Sequence, residues 1–107
     1  MIVTNTDLVP QKEIVEILGV VKGNTIRAKH LGKDIMSSLK HLVGGELNQY
    51  TQMIDEARDV AYDKMVAEAR EKGADAVVSV RFSTSAIAQG AAEVLCYGTA
   101  VKLVDQP

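Results

Sequence analysis

The sequence predicts an α+β subunit, an antiparallel β-sheet packed by one long and one short α-helix, and three observations lead there. Leu47, Tyr50, Ile54, Ala57, Ala61, Met65 and Ala69 recur every three or four residues, the spacing of an amphipathic helix. The segments on either side of that stretch alternate at period two and are rich in β-branched residues, as strands are. One of these segments is apolar on both faces: Ile14, Leu18 and Val20 fall on one side, Val15, Ile17 and Val21 on the other. A single covering layer leaves one set in water, so in a chain of 107 residues the expected cover is another copy of the chain.

Taken in order, Ile2, Val3 and Thr4 form a short candidate strand, closed by Asn5, Thr6, Asp7 and by Pro10, which cannot continue a ladder in mid-sheet. The two-faced strand runs over 13–22. Gly23 and Asn24 are a turn signal, and the alternation in Thr25, Ile26, Arg27, Ala28 and Lys29 predicts a half-exposed return strand, giving a hairpin. Asp34 can cap a short helix carrying Ile35, Leu39, Leu42 and Val43, which Gly44 and Gly45 stop.

The long helix is expected over 46–72, with Met53 and Val60 widening its apolar stripe and Asp55, Glu56, Arg58, Asp59, Asp63, Lys64, Arg70 and Glu71 outward. Lys64 and Lys72 are each spaced to pair with Glu68, and Gly73 sits where a left-handed cap ends the helix. A rod of about 40 Å must overhang a small domain or lie along long strands. Strands are expected over 76–82 and 93–103. In the second, Leu95, Tyr97, Val101 and Leu103 share a face, while Cys96, Gly98 and Ala100 make the other face thin enough for close approach of a helix or a neighbouring backbone. The connection over 83–92, poor in charge and built of small residues, reads as a loop or as a segment ordered by a neighbour.

Composition excludes several function classes. The length fits one domain over 1–107, with no room for a second. Twelve basic against fourteen acidic residues give a net charge of −2, far from the basic balance of a nucleic-acid or anionic-membrane binder. With no Trp, one Phe and three Tyr, platforms for stacking bases are scarce, so no nucleic-acid partner is expected. No stretch approaches the roughly 18 uninterrupted apolar residues of a membrane span, and Met1 to Thr4 open no basic region ahead of a long apolar run. The lone Cys96 forms no internal disulfide. Together these point to a cytoplasmic protein without a membrane partner.

The residues able to carry chemistry are few. His30, His41, Cys96 and the four Met are the borderline or soft metal ligands, but no pair is spaced to put two ligands on one element, so a metal site needs several copies around an axis. Lys22, Arg27, Lys29, His30 and Lys33 form a run without an intervening acid, ahead of a helix N-terminus, where a small anion could sit. Solvated strand residues are the plainer reading of the same run. Ser37, Ser38, Ser83, Ser85 and Cys96 are the candidate nucleophiles, with no Gly-x-Ser-x-Gly elbow, and the helix carboxylates lie on a solvated face. No catalytic or cofactor-binding residue is assigned.

Several segments together resemble the YbjQ-like family of small bacterial and archaeal proteins, sometimes described as heavy-metal-binding domains. The likeness is carried by the stretch from Glu13 to Thr25, by Asp34, Ile35 and Val43 to Leu47, by Tyr50, Thr51 and Glu56 to Arg58, by Gly73 to Val78 with Val80 to Phe82, and by Gly90 to Val101. The resemblance implies a dodecin-like β-α-β-β subunit with extra N-terminal strands, assembled as a homopentameric ring. It carries over no metal ligand residue by residue, so a metal ion is implied only by the family's label. The expected function is that of a self-assembling binding or scaffold module whose partner is itself, rather than an enzyme. The alternative is binding of a metal ion or small anion between subunits or on the axis, with His30, His41 and Cys96 as the candidate ligands.

Overall fold

The computed structural model describes residues 1–28 and 45–107. Within them the order is β1 (Ile2–Val3), β2 (Lys12–Ala28), α1 (Gly45–Glu71), β3 (Ala76–Ala88) and β4 (Ala91–Asp105). The expected short helix over 34–43 lies outside the described residues. The strands form one sheet in the order β1-β3-β4-β2, with β1 parallel to β3 and both other pairs antiparallel, so the α+β class is met by a mixed sheet.

The helix meets the sheet through its expected stripe. Ala57, Ala61, Met65 and Ala69 are fully buried, joined by Val66, against Val21, Val77, Val80, Val94, Cys96 and Ala100. Its end is a Schellman cap, in which Gly73 at φ 75° donates to the Arg70 carbonyl at 3.0 Å and Ala74 to the Ala69 carbonyl at 3.1 Å. Lys64 donates to the Asn24 carbonyl at 3.1 Å, tying the helix to β2.

Gly23 is not a turn. β2 and β4 stay paired without interruption from Gly19 opposite Ala100 to Ala28 opposite Ala91, so the expected hairpin at Gly23 and Asn24 is replaced by one strand of 17 residues. The glycine is there for the helix: a Cβ at position 23 would lie 2.2 Å from the Ala61 carbonyl oxygen and 2.6 Å from the Met65 amide nitrogen. Turn signals and close backbone approach both use glycine, and here the second won.

The parity of β2 also differs from strict alternation. Register shifts between Ile14 and Glu16 and between Ile17 and Gly19 insert two bulges, which leave Val20 on the face of Ile14 and Val21 in the helix-facing core but move Ile17 onto the face of Ile14 and Leu18 onto that of Val21. Val21, Cys96, Gly98 and Ala100, expected to be covered by a neighbour, are covered by the chain's own helix and strands. A third bulge follows Val78. Ser79 adopts φ 55°, its N–H donates to the Thr6 carbonyl at 2.8 Å, and the Val80 N–H donates to the Thr4 carbonyl at 3.1 Å.

The expected loop over 83–92 is likewise strand. β3 and β4 continue as a ribbon, from Ser83 opposite Leu95 to Ala88 opposite Ala91, joined by Gln89 and Gly90 alone. Long strands give the molecule extents of 62 × 22 × 15 Å and a Cα radius of gyration of 18.0 Å. A compact chain of this length has a radius of about 13 Å.

Asp75 locks the junction after the helix. Its Oδ2 accepts the Leu103 N–H at 2.8 Å, its own N–H donates to the Val101 carbonyl at 2.9 Å, and Lys102 Nζ lies 3.5 Å from Oδ1 while donating to the Gly73 carbonyl at 3.0 Å. The Leu103 N–H, helped by the charge of Lys102, holds the Asp75 carboxyl below the usual carboxylate range.

Two outcomes follow from these contacts. Gly23→Ala should destabilise the fold by about 1–3 kcal/mol, because the helix backbone must move, whereas Thr51→Ala on the exposed helix surface should stay within about 0.5 kcal/mol, as read by urea denaturation at fixed protein concentration. A carboxyl whose folded pKa is depressed adds stability above its unfolded pKa and loses it as pH falls through the folded one. Asp75→Asn should therefore lower the melting temperature at neutral pH, and the gap to the unmodified protein should close below pH 3.8, the ordinary aspartate value, as the lowered carboxyl protonates.

Candidate self-association surface

The sheet has two faces, and the chain covers them unequally. Residues opposed across a ladder point the same way, so Val21, Gly23 and Thr25 share the helix-facing side with Gly98, Cys96 and Val94. On the other side, one end is closed by the segment between β1 and β2: Val9 packs on Ala76, Val78 and Val101, with Ile14 and Leu103 alongside. Beyond this lid the face continues through Ile17, Val20, Tyr97 and Ile26. Ile17 is 70% exposed, Val20 67%, Ile26 57% and Tyr97 38%. Val15, at the bulge, is exposed as well.

Polar groups are interspersed in this strip, Lys22 and Asn24 lying on the same face between Val20 and Ile26. Lys22 stands opposite Tyr97, which stands opposite Arg81, and Glu93 lies between Ile26 and Ser85. Arg81 is anchored, donating to the Asn5 and Val80 carbonyls at 3.1 and 3.0 Å. On the helix-facing side, Phe82, 47% exposed, and Tyr62 line an open groove of about 520 Å³ with Val3, Thr4 and Asn5. Exposed apolar side chains mixed with polar ones are also found at protein interfaces.

The surface area supports the same description. The chain exposes 6965 Å², against about 5,800 Å² for a folded monomer of this mass. The excess of about 1,200 Å² exceeds the roughly 800 Å² that one partner contributes to a standard interface.

Of the residues singled out for metal or anion chemistry, Lys22, Arg27 and Cys96 lie among the described residues. His30 and His41 lie outside the described residues, as do Lys29 and Lys33. Lys22 and Arg27 point to opposite faces of β2, since Lys22 is paired with Tyr97 and Arg27 with Ala92. Cys96 is fully buried between helix and sheet, its Sγ 3.5 Å from Met65 Sδ, and burial pushes its thiol pKa up. A cysteine binds a metal as its thiolate, which that environment disfavours. Among the described residues no three of His, Cys, Asp and Glu gather into a metal-binding group. Ser83 and Ser85 lie on an exposed stretch of β3, and Asp55, Glu56, Asp59 and Asp63 lie on the solvated surface of α1. No described helix is long and apolar enough to cross a membrane.

Comparison with known proteins gives the chain its family. The sequence profile of the YbjQ family, whose description reads "Putative heavy-metal-binding", matches residues 1–104. A UPF0145 protein of Dehalococcoides mccartyi strain BAV1 is 62% identical over 101 residues, spanning 94% of this chain and 97% of its own. A UPF0145 protein of Archaeoglobus fulgidus is 59% identical over 103 residues, spanning 96% and 95%, and one of Vibrio parahaemolyticus 55% over 105 residues, spanning 98% and 100%. A crystal structure of a protein of unknown function of the DUF74 family from Pediococcus pentosaceus shares the fold, with a TM-score of 0.61 at 18% identity over 97% of this chain and 98% of that one. With a profile match over nearly its whole length and full-length relatives at 55–62% identity, this chain belongs to the YbjQ, or UPF0145, family.

Proposed function

We propose that this protein works as a self-assembling module, a homo-oligomer that serves as a binding or scaffold unit, and that the assembly is a homopentamer. The observation that carries the reading is the strip of Ile17, Val20, Ile26 and Tyr97, left in water by a chain whose only described helix lies on the opposite face. Large apolar side chains left this exposed on one face mark an interaction site. The number five comes from the family resemblance, and the elongated shape and excess surface support association without setting a count. The cytoplasm is the proposed location, on the lone buried Cys96.

The alternative, a metal ion or small anion held between subunits, draws on the family's description. Cys96 speaks against a thiolate site because it packs as a core side chain against Met65.

Sedimentation velocity at micromolar concentration should give one species at about five times 11.5 kDa; a stable 11.5 kDa monomer overturns the reading. Ile17→Asp combined with Val20→Asp should weaken association at least about 100-fold, since two unpaired carboxylates would have to be desolvated. The thiol of Cys96 should react with an aromatic disulfide reagent at least about 100-fold more slowly in the native protein than in urea, and addition of zinc or copper(I) should not change the native rate. Native reactivity equal to the unfolded rate would show that the thiol is accessible after all.

A further inference from the structure

We propose that the outer edge of β3 over Arg81–Ala88 docks by strand pairing on the outer edge of β2 of a second copy, head to tail. This rests on the self-association proposed above and adds its mode. All eight residues from Arg81 to Ala88 are exposed, because α1 lies over β2 and β4 and makes little contact with β3. On the outer edge, β1 and the carbonyls of Thr4 and Thr6 pair with β3 only as far as Val80. Past that point no backbone partner lies on that edge among the described residues. About half of these amide and carbonyl groups point away from β4, toward open solvent.

Solitary proteins blunt such edges with charges, prolines or bulges. Arg81 heads this edge and a bulge falls near its far end, between Ala86 and Ala88, but from Phe82 to Ala86 there is no charged residue, proline or bulge. The edge carries instead Phe82 and Ile87, 47% and 52% exposed. An edge left so adhesive is built to be paired.

The second copy supplies a fitting partner. β2 is the opposite edge of the same sheet, and from Val20 to Ala28 it is free of register shifts. The two stretches are matched in length, about 26 Å for eight residues and about 30 Å for nine. Both run antiparallel to β4, so β2 and β3 point the same way, and docking one copy's β3 edge on the next copy's β2 edge continues the sheet by parallel pairing. Each addition leaves one of either edge open, which closes only as a ring.

The test uses two sets of variants of the full chain. Ser83→Lys with Ser85→Lys places charges on an exposed strand without touching the core, and should weaken association at least about tenfold in sedimentation, with the far-ultraviolet circular dichroism of the parent. In a Cys96→Ala background, Ser83→Cys protein is mixed with Lys22→Cys, Asn24→Cys or Ile26→Cys protein and oxidised. Covalent dimers should form in at least one mixture and not in any single-variant sample. An intact oligomer that ignores the lysines and yields no mixed cross-link overturns the edge docking while leaving self-association standing. Cross-linking of Ser83→Cys protein alone shows symmetric pairing and also overturns it. A parent protein that is monomeric overturns both.

Discussion

Everything in this fold follows from the contact between α1 and the sheet at Gly23. Without a side chain there, the helix backbone at Ala61 and Met65 settles directly on β2, and the stripe of Ala57, Ala61, Met65 and Ala69 reaches Val21, Val94, Cys96 and Ala100. Small residues on both partners make this a thin, close-packed layer, and it fixes which face of a long ribbon the only described helix can cover. The opposite face has the lid around Val9 at one end and nothing from the described chain beyond Ile17. That asymmetry, not any chemical group, is what the molecule offers to a partner.

The helix was legible because its signals agree with one another: a sustained stripe, an exposed charged surface and a glycine cap all mark the same stretch, and only tertiary packing could have contradicted them. The strands were legible in place but not in extent. Gly23 with Asn24 has the composition of a turn, and only the position of Ala61 across the sheet explains why it is not one. The segment from Ser83 to Ala88 has, apart from Ile87, none of the large side chains of a buried strand because it is not buried within its own chain, so small and polar residues read as loop. Its other reading, a segment ordered by a neighbour, is the one the ribbon geometry favours.

The two-faced character of β2 was visible, and Ile14 and Val20 do oppose Val21, but the faces of Ile17 and Leu18 were not. Bulges next to Ile14 and Ile17 exchange those two, and bulges leave little trace in an apolar run. Asp75 was missed for a related reason. A carboxylate just after a glycine cap looks like ordinary surface until the Leu103 N–H and Lys102 are brought to it from β4.

The family description concerns metals, whereas the described part of this chain directs its one thiol into an aliphatic core and leaves Ile17, Val20 and Ile26 exposed. The central claim is that Ile17, Val20 and Ile26 are buried by other copies of the chain. Carbene footprinting across a dilution series tests it most directly. The account predicts that at micromolar concentration these residues are labelled as little as buried Val101, with labelling rising as the assembly dissociates. Labelling at every concentration in proportion to their exposures of 70%, 67% and 57% would contradict it.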